Sequence, residues 1–269
     1  AIKISKSGEV FSSVTEADRM YQPVFSVQGL PGAVYEITAA EDIITPDGTT
    51  RYGKGEIVDT VTTDKTGLAE SKPLYLGKYE IREIKAPYGM VLNTDIRTAE
   101  LVYAGQEIEI TETSASFYNE RQKAAVSLNK VLEQNAKFGI GTNGEISAVT
   151  FGLFATEDLT AADGSVIPTD GLLEILSVDE NGHAVCNTDL PFGSFYLGEL
   201  STDEHYILSD EKHPIVFDYA GQDTALVEIK ANDGKPIDND LIYGEIYGLK
   251  KDEDGNALGG AVIGLFKSD

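Results

Sequence analysis

The chain carries the stretch AVYEITAAEDIITPDG at residues 33–48 and repeats it as VTFGLFATEDLTAADG at residues 149–164. Both copies place apolar residues at alternate positions and end in an Asp-Gly turn signal. A period of two is typical of half-buried β-strands, and it also runs through KYEIREI, EIEITE, AIKISK and AAVSLNK. No segment keeps helical spacing of apolar residues over ten positions. The sequence therefore predicts an all-β protein.

Further stretches recur in the same order along the chain. AIKISK pairs with AAVSLNK, LGKYEIRE with FGSFYLGE, and YAGQE (103–107) with YAGQD (219–223). Self-similarity at a fixed period indicates tandem structural units. We expect one unit at residues 1–122, a second at 123–243, and the opening strands of a truncated third repeat at 244–269. This last segment, GEIYGLKKDEDGNALGGAVIGLF and three further residues, repeats the start of the other two.

Charge and composition exclude several classes of function. The 21 Lys and Arg residues are outnumbered by 45 Asp and Glu, for a formal net charge of −24. Nucleic acids and anionic membrane surfaces repel such a chain, so neither is an expected partner. No apolar run approaches the ~18 residues of a membrane span, so we expect no membrane insertion. Cys186 is the single cysteine and cannot form a disulfide within the chain.

Strand alternation places three polar side chains of each unit on the core face. They are Lys6, Glu83 and Asn119 in the first unit and Lys130, Glu199 and Asn239 in the second. Burying such groups is costly unless they satisfy one another. In one unit an ordinary ion pair at the strand ends would be the simpler interpretation. The recurrence favours a shared function, as does the spacing of eleven residues from each Asn to the next repeat's Lys.

A buried Lys beside an Asn and a Glu can form a covalent bond. Desolvation lowers the pKa of a lysine and exposes a neutral amine nucleophile. A neutral Glu can polarise the Asn carbonyl and relay the amine proton to the departing ammonia. We therefore predict Lys–Asn isopeptide bonds, Lys6–Asn119 and Lys130–Asn239, with Glu83 and Glu199 as the bond-forming acids and with no cofactor and no metal. In the second unit Asp238 or Asp240 is an alternative acceptor, although alternation favours Asn239.

The motifs resemble a known family. The run from Gly77 to Gly89 reads GKYEIREIKAPYG and fits GxYEIxExxAPxG, and residues 250–266 fit KxDxxGxxLxGAxxxLF. This pattern resembles the collagen-adhesin B-type (Cna-B, SpaA-like) repeats of Gram-positive surface adhesins and pilins. The second unit departs from it, because GELSTDEHYIL follows where Ala-Pro-x-Gly would stand. The resemblance implies tandem immunoglobulin-like (transthyretin-like) β-sandwiches with a self-formed bond between the first and last strands.

The resemblance also implies a function. It predicts an extracellular stalk or spacer of a Gram-positive cell-wall protein, with neighbouring repeats of the same parent protein as partners and no enzymatic turnover. The alternative is a ligand-binding adhesin module whose long loops, residues 7–31 and 131–147, hold a host matrix protein or glycan. Lys250 is the third-repeat lysine and is expected to stay unpaired. No sortase-polymerisation motif or wall anchor is evident in the sequence. The sequence also does not identify a ligand.

Overall fold

The computed structural model describes residues 1–266 and is built almost wholly of β-strands. Ten strands lie within residues 1–122: β1 (Ile2–Ala17), β2 (Met20–Gly29), β3 (Val34–Ala39), β4 (Ile43–Ile44), β5 (Thr50–Tyr52), β6 (Ile57–Thr62), β7 (Leu68–Glu70), β8 (Gly77–Lys85), β9 (Ile96–Leu101) and β10 (Thr113–Asn119). Ten more lie within residues 123–243: β11 (Lys123–Leu132), β12 (Thr150–Ala155), β13 (Leu159–Thr160), β14 (Val166–Ile167), β15 (Leu172–Ser177), β16 (His183–Val185), β17 (Gly193–Ser201), β18 (Lys212–Phe217), β19 (Leu226–Lys230) and β20 (Ile237–Asn239).

Both sets of strands share one arrangement, except that β2 has no counterpart in the second set and that β19 and β20 together take the place of β10. In the first, one sheet has the order β10–β1–β2 with β7 also on β1, and the other has the order β6–β3–β8–β9. In the second, β16–β11–β19 with β20 on β11 corresponds to the first sheet, and β15–β12–β17–β18 to the other. The first and last strands of each set are parallel neighbours, with Lys6 opposite Phe117 and Lys130 opposite Ile237. This topology confirms the predicted all-β class.

Each set of strands encloses its own apolar core. The faces predicted from alternation are the buried ones, since Ile2, Ile4, Tyr79, Ile81 and Phe117 have at most 3% of their surface exposed. Their counterparts in the second core are Val126, Leu128, Phe195, Leu197 and Ile237. Two short 3-10 turns, Glu145–Ala148 and Ala231–Gly234, are the only helices among residues 1–266, and neither has the length of a membrane span.

The segment predicted as a long loop at residues 7–31 is instead a β-hairpin. Strand β1 continues past the end of its pairing with β10 and pairs with β2 from Ser7–Gly29 to Ala17–Met20. The hairpin turns at Asp18 and Arg19, whose φ values of 53° and 65° fit a two-residue turn with both residues left-handed. The hairpin lies on the second set of strands: Val14 N donates to Ser165 Oγ at 2.7 Å, and Gln22 Nε2 donates to Leu173 O at 2.9 Å.

Residues 244–266 form none of the strands predicted for a third repeat. They are exposed throughout, with one isolated β-bridge between Lys251 and Ala257 around the Asp254-Gly255 turn. The Asp254-Gly255 sequence therefore forms a turn, whereas the residues on either side of it are not in a sheet. Two strands alone bury too little apolar surface to be stable.

Candidate functional site

In the first set of strands, the three predicted polar residues meet in the core. Lys6 on β1, Glu83 on β8 and Asn119 on β10 are each at most 2% exposed. Lys6 Nζ lies 3.2 Å from Glu83 Oε1 and donates a hydrogen bond to Asn119 Oδ1. Asn119 Nδ2 donates to both carboxylate oxygens of Glu83, at 3.1 and 3.0 Å. The aromatic rings of Tyr35 and Phe117 lie about the ammonium group, 6.0 and 5.9 Å from Nζ to the ring centroids.

The second set of strands contains the same arrangement. Lys130 Nζ lies 3.6 Å from Glu199 Oε1 and donates to Asn239 Oδ1 at 2.5 Å. Asn239 Nδ2 donates to Glu199 Oε1 and Oε2 at 3.0 and 2.9 Å, and also to Thr202 Oγ1 at 3.2 Å. The alternative acceptors Asp238 and Asp240 both have exposed side chains. The geometry at the lysine therefore favours Asn239 as the acceptor.

Burial lowers the pKa of both lysines. Desolvation is the largest influence on Lys6 and lowers its pKa, although the adjacent Glu83 carboxylate acts in the opposite direction. The pKa of Lys130 is lowered for the same reason, with Glu199 again opposing. A lowered pKa increases the fraction of neutral amine, which is the form that attacks a carbonyl carbon.

The orientation of each Asn amide supports one of the two roles expected for the Glu. Lysine Nζ contacts the amide oxygen in both sites, and the Glu carboxylate faces the amide nitrogen. The expected polarisation of the Asn carbonyl by Glu is therefore not seen in this arrangement. The expected relay role is compatible with the geometry, since each carboxyl group lies within 3.6 Å of the lysine Nζ and within 3.1 Å of the Asn Nδ2.

Two glycine turns that the sequence analysis did not assign to the site fix the backbone of the lysines. Lys6 N donates to Gly67 O at 2.7 Å, and Lys130 N donates to Gly182 O at 2.6 Å. Both glycines have φ of +81°, and a Cβ on either would lie within 2.4 Å of the lysine carbonyl oxygen. Asn181-Gly182 is a typical turn sequence, but a turn signal alone does not reveal which strand the turn contacts.

A backbone N–H holds each Glu in place. Asn93 N donates to Glu83 Oε2 at 2.7 Å, and Ser209 N donates to Glu199 Oε2 at 2.9 Å. Both donors lie ten residues after their Glu. The contact therefore recurs although Ala-Pro-x-Gly is present only in the first copy. Sequence patterns cannot identify such a donor, because any residue type supplies the same N–H.

The remaining predicted residue lies apart from both clusters. Lys250 is exposed, and its carbonyl oxygen accepts a hydrogen bond from Leu258 N at 2.8 Å.

Cys186 is partly buried, and its thiol donates to Glu174 Oε2 at 2.9 Å. Burial is the main cause that raises the pKa of this thiol to about 12, so it is a poor nucleophile. Among residues 1–266 no three His, Cys, Asp or Glu side chains are grouped as a metal site requires.

The structure thus contains two similar sets of β-strands, each with its own buried Lys–Glu–Asn cluster. Residues 26–115 match the family model described as SpaA, a prealbumin-like fold domain. The trypsin-resistant surface T6 protein of Streptococcus pyogenes serotype M6 is 29% identical over 148 residues, which are 54% of this chain and 26% of that protein. The match confirms the predicted resemblance to Gram-positive surface proteins and indicates a location at the cell surface.

The solved structure of a bacterial protein supports the all-β fold. The Bacillus anthracis TIE protein superposes with a TM-score of 0.51 at 16% identity, over 96% of this chain and 40% of that one. GBS52, the minor pilin of Streptococcus agalactiae, aligns with 93% of this chain and 99% of its own at 14% identity, with a TM-score of 0.32. The chain thus spans about a quarter of the T6 protein and less than half of the TIE protein chain.

Proposed function

We propose that the chain is a structural stalk segment of a Gram-positive pilus or adhesin, in which self-formed isopeptide bonds close two tandem domains. The domains are residues 1–122 and 123–243, and residues 244–269 begin a third repeat. The observation that carries the proposal is the recurrence of one buried Lys–Glu–Asn cluster at equivalent positions of both domains. Similarity to a streptococcal surface protein supports the surface role.

The contacts suggest how each bond forms. The neutral lysine amine attacks Cγ of the Asn side chain, and the Glu carboxyl group takes the proton that the attacking nitrogen loses. The same carboxyl group delivers a proton to Nδ2, the C–N bond of the amide breaks, and ammonia leaves. A Lys–Asn amide remains and the Glu returns to its starting state. Each site reacts once, so the chemistry is not enzymatic turnover.

The position of the bond explains its use in a stalk. The Lys and Asn of each domain lie on its first and last strands, which are parallel neighbours. A force applied along the chain passes directly from one strand to the other through the covalent link, and the strands between carry little of it. An amide bond is not cleaved by reducing agents, whereas a disulfide is. With a single cysteine, the chain cannot form a disulfide within itself.

The structure favours this role over the alternative of a ligand-binding adhesin module. The segment at residues 7–31, proposed as a binding loop, is a hairpin whose outer half contacts the second domain. The other segment, residues 131–147, includes the last two residues of β11, one bridge between Asn135 and Ile140 and the start of a 3-10 turn, and is otherwise irregular. The contacts described for the hairpin are therefore with the second domain of the same chain.

Intact-mass spectrometry tests the proposal directly. The purified chain is expected to weigh less than its sequence by two molecules of ammonia, and digestion should release Lys6 joined to Asn119 and Lys130 joined to Asn239. A full theoretical mass, with all four residues in linear peptides, would refute the bond chemistry. Peptides joined through Asp238 or Asp240 would instead reassign the acceptor in the second domain.

A further inference from the structure

The loop Tyr-Ala-Gly-Gln-Asp-Thr of the second domain, residues 219–224, binds one end of the first domain and is called the docking loop below. Tyr219 Oη donates to Met90 O at 2.8 Å, and Leu92 N donates to Gln222 O at 2.9 Å. Ala86 N donates to Gln222 Oε1 at 2.9 Å. The side chains of Tyr88 and Tyr219 meet edge to face, with centroids 4.9 Å apart. The loop therefore contacts the Ala-Pro-x-Gly-Met turn of its neighbour through one backbone carbonyl and the side chains of Tyr219 and Gln222.

Gln122 completes this joint from the first domain. Its side chain is fully buried and donates to Gly221 O at 3.1 Å and to Thr224 O at 2.6 Å. Its Oε1 accepts a hydrogen bond from Ala220 N at 2.8 Å. One glutamine thus holds three backbone groups of the docking loop. A side chain without both a donor and an acceptor cannot make this set of contacts.

The first domain carries a similar loop, Tyr-Ala-Gly-Gln-Glu-Ile, at residues 103–108, and within residues 1–266 that loop contacts no other domain. Tyr103 is 67% exposed, whereas its counterpart Tyr219 is partly buried. Large apolar side chains surround it on the open surface: Tyr75, Leu76, Val102, Ile108 and Ile110, each more than 40% exposed. They line a groove of about 270 Å³. Exposed apolar patches of this kind mark interaction sites.

We propose that the loop at residues 103–108 is the receiving surface for the end of another domain of this same type. That end would carry an Ala-Pro-x-Gly turn and a glutamine three residues after its bond-forming Asn, as Gln122 follows Asn119. In that contact Tyr103 and Gln106 make the hydrogen bonds that Tyr219 and Gln222 make in the joint, and the docked domain covers the apolar groove. The proposed contact is equivalent to the joint between the two domains and does not require the isopeptide bonds.

The second domain of another copy is a poor occupant for this surface. At the position equivalent to Gln122 it carries Ile242, which can neither donate nor accept a hydrogen bond, and it lacks the Ala-Pro-x-Gly turn. The unmodified chain is therefore expected to remain monomeric through this face. Concentration-dependent self-association that Tyr103→Ser abolishes would point to a second copy as the occupant and would overturn the proposal.

The test supplies the missing occupant in the natural register. A copy of residues 1–124 is placed directly before Ala1, which reproduces the connection from Lys123-Ala124 to Ala125. Amide hydrogen exchange of residues 103–108 in the original first domain should slow by roughly tenfold or more relative to the unextended chain. Residues 219–224 are the internal standard for a docked loop. Unchanged exchange at 103–108, with the added domain folded, would overturn the proposal.

Matched variants separate docking from a nonspecific effect of the added mass. Gln122→Ala in the added copy alone should remove the protection at residues 103–108 and leave that at 219–224 unchanged. If the directly fused copy does not fold, the same domain joined through a long Gly/Ser linker supplies the occupant at high effective concentration. Absence of protection in that folded form would also refute the inference. Ammonia loss, measured separately, reports only on the isopeptide proposal.

Discussion

At the scale of single residues, each glutamate is expected to act on its own site alone. Glu83→Ala removes the group that lies beside both the amine and the departing amide nitrogen, so the first bond should not form. The protein should then lose one ammonia instead of two, with Lys130–Asn239 still joined. Glu80→Ala removes a glutamate from the opposite face of the same strand and is the control. Loss of two ammonias in Glu83→Ala would contradict the relay role.

The unbonded first domain should also be less stable. In the chain-entropy model, a covalent link that closes a loop of this length stabilises the folded state by about 4–5 kcal/mol. Asn119→Ala removes the acceptor and also leaves Lys6 buried without it, which adds to the cost. Calorimetry should show the transition of the first domain at lower temperature and that of the second unchanged. Asp95→Ala, an exposed change in the same domain, provides the baseline.

At the scale of structural elements, the glycine turns that contact the reactive strands are expected to be essential. In Gly67→Ala a Cβ would lie 2.4 Å from Lys6 O and the residue would keep a left-handed backbone. Gly48→Ala has nearly the same φ, +80°, but open space around the Cβ. The control should lose only about 1–2 kcal/mol of stability for the backbone conformation.

Gly67→Ala should lose more, because the turn must also move away from β1 and release the lysine. The bonded fraction of the first domain, measured by intact mass soon after synthesis, should fall below that of Gly48→Ala. Equal stability and equal bond formation in the two variants would show that the turn plays no part in positioning Lys6.

Sequence patterns predicted the strands and buried faces well, because alternation and internal repetition are properties of the chain itself. They failed at the hairpin β1–β2, where Asp18 and Arg19 adopt positive φ without the Gly or Asn that usually marks such a turn. The hairpin strands are partly buried on both faces, so no clean alternation is visible. The support from Gly67 and Asn93 was also missed, because it depends on contacts between distant segments.

At the scale of the whole molecule, lysine reactivity should distinguish the three repeats. Lys6 and Lys130 are buried, whereas Lys250 is exposed and has no cluster around it among residues 1–266. An amine-reactive acylating reagent should modify Lys250 in the native protein. After denaturation Lys6 and Lys130 should still not react, since their nitrogens are amides. Acylation of either residue in the denatured protein would show an open site, and a crosslinked Lys250 would require new repeat boundaries.

The joint between the domains should make the two sandwiches behave as one rod. Gln122→Ala would leave Ala220 N, Gly221 O and Thr224 O without their partner, at about 1–3 kcal/mol for each group that stays unsatisfied. Exchange at residues 219–224 should accelerate, and small-angle scattering should show a broader range of interdomain distances. Gln106→Ala makes the same change on an exposed loop and should alter neither property. Because the hairpin β1–β2 also spans the joint, the variant should loosen it without separating the domains. Unaltered exchange in Gln122→Ala would mean that the hairpin alone sets the interdomain angle.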